Sequence, residues 1–390
     1  MKPFSFDATR LPSPHLTPSH EAWRETVRAF VEKELRPHVN AWDEEGKFPR
    51  ELYRRAAAVG LLALGYPEDY GGVRDGVDVF HSLVASEELA RAGSGGLIAG
   101  LMTHSIGLPP VLALGSDELK ARIAPDVLKG LKLIALCVTE PSGGSDVANI
   151  KTRAMRDGNH YVVNGEKTYI TTGYRADYLT VAVRTGGAGA GGLSFLLIEA
   201  DSPGVTRAKL PKMGWWMSDT ASISFADVRV PAENLIGAEN SGFAGIVTNF
   251  NNERLGMAAQ AIAFARVCIE DAASWAMNRE TFGKPLIKHQ VIRHKLAEMA
   301  RHVHASSAFL DNCAWRVMQG ETPIAELSLL KVQATRTMEF CAREGMQILG
   351  GAGFIRGQRI ERIYREVRVM AIGGGSEEIM LDLAARQMGA

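Results

Sequence analysis

Two changes in the spacing of the apolar residues limit most strongly what this chain can fold into. Over residues 20–129 apolar side chains recur at helical spacing, as in the segment EAWRETVRAFVEKEL. Over residues 131–236 they fall into short runs, several of them alternating, that are separated by Asp-Gly and Asn-Gly turn signals. From residue 241 onward long, Ala-rich amphipathic segments continue to the end of the chain. The sequence therefore predicts helices, then strands, then helices again.

These zones predict an α+β chain with three domains. We expect an N-terminal helical domain (residues 1–130), a central antiparallel β domain that forms a sandwich or barrel (residues 131–240), and a C-terminal bundle of four or five helices (residues 241–390). A Gly-rich segment at residues 187–192, GAGAGG, matches the G-x-G-x-x-G pattern. That fingerprint binds a nucleotide only where a helix follows the loop, and here the strand-like LSFLLIEA follows. A hairpin loop is the favoured interpretation.

Charge and cysteine usage exclude several classes of function. Lys+Arg and Asp+Glu both number 44, and no basic block stands at either end, so we expect no nucleic-acid partner. No apolar run reaches the roughly 18 residues of a membrane span, and no secretory signal is evident, so we expect no membrane insertion. The cysteines are widely spaced without a C-x-x-C pair, which predicts reduced thiols in a cytoplasmic protein and no metal site: Cys137, Cys268, Cys313 and Cys341.

The segment LCVTEPSGGSDVANIKT, residues 136–152, carries the clearest sign of a binding site. A strand end delivers Thr139 and Glu140, Pro141 turns the chain, and small residues follow. Such residues let a ligand approach the backbone closely. Taken alone, the segment is equally well explained as a hairpin connection within a β domain.

The same segment resembles a signature of the acyl-CoA dehydrogenase family that extends into NGEKTYITTG. RETFGKPLIKHQ and QILGGAGFIRGQRIERIYRE are similar to two further marked segments of that family, in the same order. Four segments in order over nearly the whole chain identify it as similar to the family, and to its long-chain and isovaleryl-type members in particular. The resemblance implies FAD bound between the β domain and the C-terminal bundle, an acyl-CoA substrate, electron-transfer flavoprotein as acceptor, a homotetramer (a dimer of dimers) and a role in fatty-acid β-oxidation.

The resemblance also assigns residues to the cofactor. Thr139 would bond the pyrimidine side of the flavin, Thr171 would lie near N5, and Tyr169 stands where many relatives have Trp. Arg279 would contact the pyrophosphate, for which a guanidinium is suited as a rigid bidentate donor. Gln347 and its neighbours would meet the dinucleotide of an adjacent subunit. The full set is Leu136, Val138, Thr139, Gly144, Ser145, Tyr169, Ile170, Thr171, Arg279, Thr281, Phe282, Gln290, Gln347, Gly350, Gly351, Gly375, Ser376 and Glu378.

The segment MAIGGGSEEIM, residues 370–380, raises the catalytic question. Many family members carry their catalytic carboxylate at the position of Gly374, where this chain has no side chain. The Gly374 N–H remains, and the resemblance implies that it polarises the thioester carbonyl. Long-chain and isovaleryl-type members place the base on the first helix of the C-terminal domain, and Glu253 in NFNNERLGMAAQ falls on that position. The alternative is that Glu253 is a first-turn residue that favours the helix dipole.

On this basis the predicted reaction is α,β-dehydrogenation of an acyl-CoA to the trans-2-enoyl-CoA. Glu253 would abstract the α proton while hydride passes from the β carbon to flavin N5. We expect the missing side chain to leave a void beside the α and β carbons that admits a branched or differently directed chain. Alternatives are a flavin oxidase or monooxygenase, an acyl-carrier-protein dehydrogenase, and a non-enzymatic relative. The residues expected to contact substrate are Ser145, Asn251, Arg254, Gly373 and Gly374.

Overall fold

The N-terminal part of the chain is helical, as its apolar spacing predicts. The computed structural model describes residues 3–390, except for the side chains of residues 244–252. A π-helical turn, Val31–Leu35, extends the first helix. The helices are α1 (Pro18–Phe30), α2 (Val39–Glu45), α3 (Glu51–Ala58), α4 (Val79–Leu89), α5 (Gly95–Leu101), α6 (His104–Gly107), α7 (Pro109–Leu114) and α8 (Asp117–Leu128).

The start of α1 shows how local chemistry sets a helix end. Pro18 is the first helical residue, where a fixed φ and a missing N–H do no harm. The backbone N–H of Thr17 donates to His20 Nδ1 at 2.9 Å, which satisfies a donor that the helix itself leaves open. Val27 and Phe30 then lie on the buried face of the helix.

The central part forms one eight-stranded sheet in the order β6-β7-β3-β2-β4-β5-β8, with β1 beside β4. The strands are β1 (Ile134–Cys137), β2 (Arg153–Asp157), β3 (His160–Ile170), β4 (Tyr178–Arg184), β5 (Leu193–Glu199), β6 (Val205–Lys209), β7 (Ala221–Pro231) and β8 (Leu235–Ile236). The Gly-rich segment connects the antiparallel strands β4 and β5 and contains only a short 3₁₀ turn, Ala190–Gly192. The hairpin interpretation of that segment is confirmed.

The predicted antiparallel pairing holds for most neighbouring strands, but the sheet is mixed. β1 runs parallel to β4, with Ile134 opposite Tyr178, and β2 meets β4 in parallel at one residue pair. Parallel neighbours require a crossover rather than a hairpin. Here β2 and β3 lie between β1 and β4 in sequence, and turn signals do not reveal such non-local pairing.

The C-terminal part contains five described helices and a small hairpin. The helices are α9 (Gly242–Asn278), α10 (Gln290–Met318), α11 (Ile324–Leu349), α12 (Arg359–Ile372) and α13 (Glu377–Gln387), and the hairpin strands are β9 (Glu280–Thr281) and β10 (Lys284–Pro285). The largest apolar core joins these helices to the N-terminal ones, with Leu35 and Leu97 in the same cluster as Phe264 and Leu330. A separate cluster joins α7 and α8 to β1 and β5. The N-terminal helices thus pack against both other parts.

Within the described part of the chain, no single helix combines the length and the apolar composition of a membrane span. One bent pair, Gly95–Leu101 with His104–Leu114 at 52°, meets those criteria by length and composition alone.

Candidate active site

Glu253 lies in the interior of α9. The helix begins at Gly242, so Glu253 is about three turns from its N-terminus at 3.6 residues per turn. The helix dipole acts mainly within the first turn. The alternative interpretation of Glu253, as a first-turn residue that favours the dipole, is therefore wrong.

The carboxyl group of Glu253 faces the glycine turn (Gly373–Gly375) that links α12 to α13. A Cβ atom built on Gly374 would lie 3.9 Å from Glu253 Cδ. Gly374 has a φ of 67°, in the left-handed region that favours glycine. The structure therefore brings together the two residues that the sequence assigned to catalysis.

Met257 occupies the space in front of Gly374. The same Cβ position lies 2.8 Å from Met257 Sδ, closer than van der Waals contact allows. A Cβ on Gly373 would also be tight, at 3.2 Å from Val369 O. Among the described residues, the side chain of Met257, one helical turn after Glu253, therefore fills the space beside Gly374 where the void was expected.

Two buried cations hold the backbone of the glycine turn. Arg254, which is 7% exposed, donates from Nε to Gly374 O at 3.3 Å. Lys331 on α11 is fully buried and donates from Nζ to Ala371 O at 3.0 Å and to Gly375 O at 2.7 Å. Carbonyls before and within the turn are thus held on both sides of the Gly373–Gly374 peptide, which restricts the orientation of the Gly374 N–H.

The electrostatics of this cluster favour a base that is active near neutral pH. Burial raises the pKa of Glu253 to about 7, although the charges of Arg254 and Lys331 act in the opposite direction. Burial also lowers the pKa of Lys331, to about 8. The sequence reasoning missed Lys331; a lone Lys inside the apolar run LSLLKVQ at helical spacing is the signal that would have indicated a buried, bonded amine.

Replacing Lys331 with methionine is expected to lower turnover by about 10- to 100-fold, because the two bonds that Lys331 donates at the glycine turn are lost. The loss of a positive charge should also raise the pKa of Glu253 and move the acidic limb of the pH–rate profile upward. Steady-state kinetics across pH measure both effects. Lys129→Met, at an exposed position, is the control. A profile and a turnover equal to those of the wild type would show that Lys331 does not position the turn.

A second constellation lies at the end of β1, where the sequence placed ligand contacts. The carboxylate of Glu140 is buried and accepts Lys167 Nζ at 2.9 Å, Lys151 N at 2.7 Å and Thr152 N at 2.9 Å. Lys167 Nζ also donates to Val138 O at 2.9 Å. Sequence reasoning missed this pair, although its members stand in two of the quoted segments, TEPSGGSD and NGEKTYITTG.

The pair anchors the segment that carries the predicted flavin contacts of the β domain. Thr139 O accepts Thr168 N at 2.9 Å, and a Cβ on Gly144 would lie 3.2 Å from Thr139 Cγ2. Beyond the strand, Ser145 is exposed, while Leu136 on β1 is half-buried. The structure therefore brings Leu136, Val138, Thr139, Gly144 and Ser145 to one end of the sheet.

The end of β3 presents an aromatic ring in an unusual backbone conformation. Tyr169 has a φ of 60° and is 71% exposed, and the register with β7 shifts between Lys167 and Ile170. Ile170 is buried and Thr171 half-buried. A non-glycine residue with positive φ is uncommon and marks a position held by its surroundings.

The remaining residues that the sequence assigned to the cofactor lie far from Glu253 within one chain. Arg279 follows α9 and is about 39 Å from Glu253 along the helix, at 1.5 Å per residue. Beside it Phe282, 96% exposed with a φ of 51°, forms the tip of the β9–β10 hairpin, and Thr281 Oγ1 lies 3.1 Å from His289 Nε2. Gln290 begins α10 and is exposed. The structure does not bring this group to the carboxyl of Glu253.

The same holds for the C-terminal end of α11. Gln347 is about 24 Å from Lys331 along that helix at 1.5 Å per residue, and it is exposed. Gly350 ends the helix with a φ of 60°, and a Cβ on Gly350 or Gly351 would meet no described atom within 4 Å. This open surface lies beside a hollow of about 310 Å³ that Trp275 and Arg359 help to line.

Of the other predicted residues, three lie at the start of α13 and one has a side chain outside the described residues. Ser376 is the N-cap of α13, and its Oγ accepts Ile379 N at 3.5 Å. Gly375 precedes it with a φ of 106°. Backbone N–H donation and the Ser376 hydroxyl lower the pKa of the exposed Glu378 carboxyl. The side chain of Asn251, expected to contact substrate, lies outside the described residues.

Comparison with known proteins defines the class to which this fold and site belong. Three family models match in order: the acyl-CoA dehydrogenase N-terminal domain at residues 17–131, the middle domain at residues 135–228 and the C-terminal domain at residues 240–389. Together they span most of the chain. The class is that of oxidoreductases acting on CH–CH groups.

Individual proteins agree with the family models. The chain is 40% identical to acyl-CoA dehydrogenase AFT10-1 of Alternaria alternata, over 95% of this chain and 91% of that protein. It is 34% identical to the mitochondrial long-chain specific acyl-CoA dehydrogenase of Sus scrofa, over 95% and 86%. The crystal structure of a probable acyl-CoA dehydrogenase from Mycobacterium abscessus superposes with a TM-score of 0.93 at 48% identity, over 96% of this chain and 99% of that one. The chain belongs to the acyl-CoA dehydrogenase family and is an enzyme of that kind, which confirms the resemblance.

Proposed function

We propose that this chain catalyses FAD-dependent α,β-dehydrogenation of an acyl-CoA to the trans-2-enoyl-CoA, with Glu253 as the base that removes the α proton. The observation that carries the proposal is the position of the Glu253 carboxyl, 3.9 Å from where a side chain on Gly374 would begin. A pKa raised to about 7 by burial suits this role, because a general base works best when its pKa lies near the operating pH.

The residues around Glu253 have separate tasks in this proposal. The Gly374 N–H donates to the thioester oxygen, where negative charge develops as the α proton leaves. Arg254 and Lys331 hold carbonyls on both sides of the peptide that carries this N–H and so restrict its orientation. Preorganised donors of this kind stabilise the transition state without reorganising during the reaction.

The residues at the sheet end fit a flat aromatic cofactor. Tyr169 offers a ring that is 71% exposed, and a Cβ on Gly143 would meet no described atom within 4 Å, so a planar ligand can approach both. Thr139, Ser145 and Thr171 would hold its polar edge. FAD, when bound, accepts the hydrogen of the β carbon as hydride.

A hollow of about 670 Å³ next to the same loop suits an anionic thioester such as an acyl-CoA. Its lining includes three basic residues, Lys151, Arg153 and Arg184, and two acidic ones, Glu140 and Asp146. Arg184 is already engaged, because its Nε donates to Ile150 O at 2.8 Å. Lys151 and Arg153 are both exposed. The amine of Lys151 and the guanidinium of Arg153 would therefore bind the phosphates of the acyl-CoA.

The proposal also covers the subunit assembly, the electron acceptor, the pathway and the compartment. Because Arg279 and Gln347 lie far from Glu253 within one chain, we assign them to the cofactor of a neighbouring subunit, as in a homotetramer. A partner subunit would also cover the exposed ring of Phe282. We assign the electrons to electron-transfer flavoprotein, the pathway to fatty-acid β-oxidation, and the compartment to a reducing cytoplasm, where four buried, unpaired cysteines are stable.

Anaerobic titration of the flavin-loaded protein with a panel of acyl-CoAs tests the proposal directly. We expect the flavin absorbance to bleach with at least one acyl-CoA and to recover slowly in air. A flavin that no acyl-CoA bleaches would overturn the proposal. Rapid reoxidation in air would instead favour the oxidase alternative.

The pH dependence gives a second test. Because Glu253 must be ionised to accept a proton, kcat/KM for an acyl-CoA should fall as the pH drops through about 7, by roughly tenfold per unit below that value. The profile of kcat/KM reports the free enzyme, in which this pKa applies. A limb near 4.5, the ordinary value for a glutamate, would show that the base is not held in this buried environment.

A further inference from the structure

We propose that Gly256 and Met257 form the specificity-determining wall of the acyl pocket and that they select acyl groups branched within a few bonds of the thioester. This inference rests on the proposed function, because it takes Glu253 as the point at which the α carbon sits. Because Met257 fills the space beside Gly374 where the void was expected, the inference assigns the room for a branch to α9 instead.

Gly256 is placed where a glycine has no structural reason to be. It lies inside the long helix α9, where glycine costs about 1 kcal/mol relative to alanine. Its φ is not in the left-handed region, so no turn demands it. Beyond its chain neighbours and the backbone of its own helix, a Cβ on Gly256 would meet no described atom within 4 Å. No described side chain fills this position, and we assign the space to a ligand.

The position of that space relates it to the reaction. Gly256 and Met257 are three and four residues after Glu253, so all three lie on one face of α9. Gly256 is about 4.5 Å from Glu253 along the helix at 1.5 Å per residue. An acyl chain whose α carbon meets the Glu253 carboxyl would therefore pass Gly256 within its first few bonds.

Met257 limits the same region from the side of the glycine turn. Its Sδ and Cε lie 2.8 and 3.7 Å from the Cβ position of Gly374. The residue is half-buried and packs against the large core, whereas its neighbours Leu255 and Ala258 are 5% and 0% exposed. Its thioether therefore closes the gap between the helix and the turn, and the room for a branch is left at Gly256.

The test uses the flavin-loaded full-length enzyme and the ratio of kcat/KM for branched over straight acyl-CoAs of equal carbon number. Gly256→Leu is expected to lower this ratio by about tenfold or more, since apolar pockets discriminate single methylene groups by about 10- to 200-fold. Met257→Ala is expected to raise it by about tenfold. Met257→Leu, which conserves volume, is the matched control and should leave the ratio within about twofold.

A ratio that stays within about twofold of the wild type in either Gly256→Leu or Met257→Ala overturns the inference, as does a wild-type enzyme that accepts only straight chains. If Gly256→Leu fails to fold, Gly256→Ala serves in its place. Ala should raise the melting temperature, because it is the better helix former and meets no described neighbour, and it should still lower the ratio by more than about twofold. A wild-type flavin that no acyl-CoA bleaches is a different result, and it refutes the proposed function itself.

Discussion

Replacement of Glu253 with glutamine is expected to give a flavin-loaded protein whose turnover is lower by about 10²–10⁴-fold, the scale that a general base contributes. Glutamine conserves the size of the side chain but cannot accept the α proton. Flavin content should be unchanged, because no predicted cofactor contact belongs to this residue. Single-turnover bleaching with the best acyl-CoA measures the chemical step without interference from product release.

The thermal stability of the Glu253→Gln variant provides an independent test of the role of Glu253. Burial raises the native pKa of Glu253 above its unfolded value of 4.5, so ionisation destabilises the fold as the pH rises from about 4.5 through about 7, and this loss is complete above that range. At pH 8 the glutamine variant should therefore melt no lower than the wild type. A residue kept for stability would give the opposite result.

Glu366→Gln is the matched control for Glu253→Gln. Glu366 is also a buried glutamate whose pKa burial raises to about 7, but it lies on α12 and accepts Gly95 N at 2.6 Å, away from the glycine turn. Its replacement should leave turnover within about threefold of the wild type. Near-normal activity of the Glu253 variant would mean that another group removes the proton.

Restoring a carboxylate at position 374 is not a simple rescue of Glu253→Gln. The new Cβ would lie 2.8 Å from Met257 Sδ and would require a left-handed backbone at a non-glycine residue. We expect Gly374→Glu to recover activity in the Glu253→Gln background only when Met257 is also reduced to alanine.

Removal of the Glu140 carboxylate is expected to have the largest effect on stability. Glu140→Ala leaves Lys167 fully buried without its charge partner and frees the backbone N–H groups of Lys151 and Thr152. Breaking a buried ion pair by removing one partner costs about 3–5 kcal/mol. Urea unfolding at pH 7 should show a loss of this size, together with weaker flavin retention, because the pair anchors the loop that carries Thr139 and Ser145.

The pH dependence of this contribution has a defined sign. Burial alone would raise the pKa of Glu140, but Lys167 and the other donors outweigh it and hold the pKa below 4.5. The stabilisation is therefore complete above pH 4.5 and is lost as the pH falls through the native pKa.

Two variants complete the test of Glu140. Glu140→Gln keeps an acceptor and the shape of the side chain, so it should lose less stability than Glu140→Ala and remain folded if Ala does not. Glu166→Ala, at an exposed position nearby, is the control and should change the free energy of unfolding by less than about 0.5 kcal/mol. If Glu140→Ala is as stable as the wild type, the Glu140–Lys167 pair does not anchor the loop.

The sequence by itself determined those features that depend on residue identity and local periodicity. The order of helical and β regions follows from apolar spacing, and the structure has strands where alternation and turn signals occur. That position 374 offers only a backbone N–H, and that a carboxylate stands at position 253, are facts of composition that no packing can change.

Only the tertiary structure decided what surrounds those residues. Met257 fills the space in front of Gly374, Lys331 holds the glycine turn, and Glu140 pairs with Lys167, yet the members of each set stand far apart in the sequence. The parallel pairing of β1 with β4 likewise joins segments that are distant in the sequence. Apolar spacing records which face of an element is buried, but not which distant element covers it. That choice is made by the crossing of helices and the order of strands, and in this enzyme it decides the shape of the pocket beside the base.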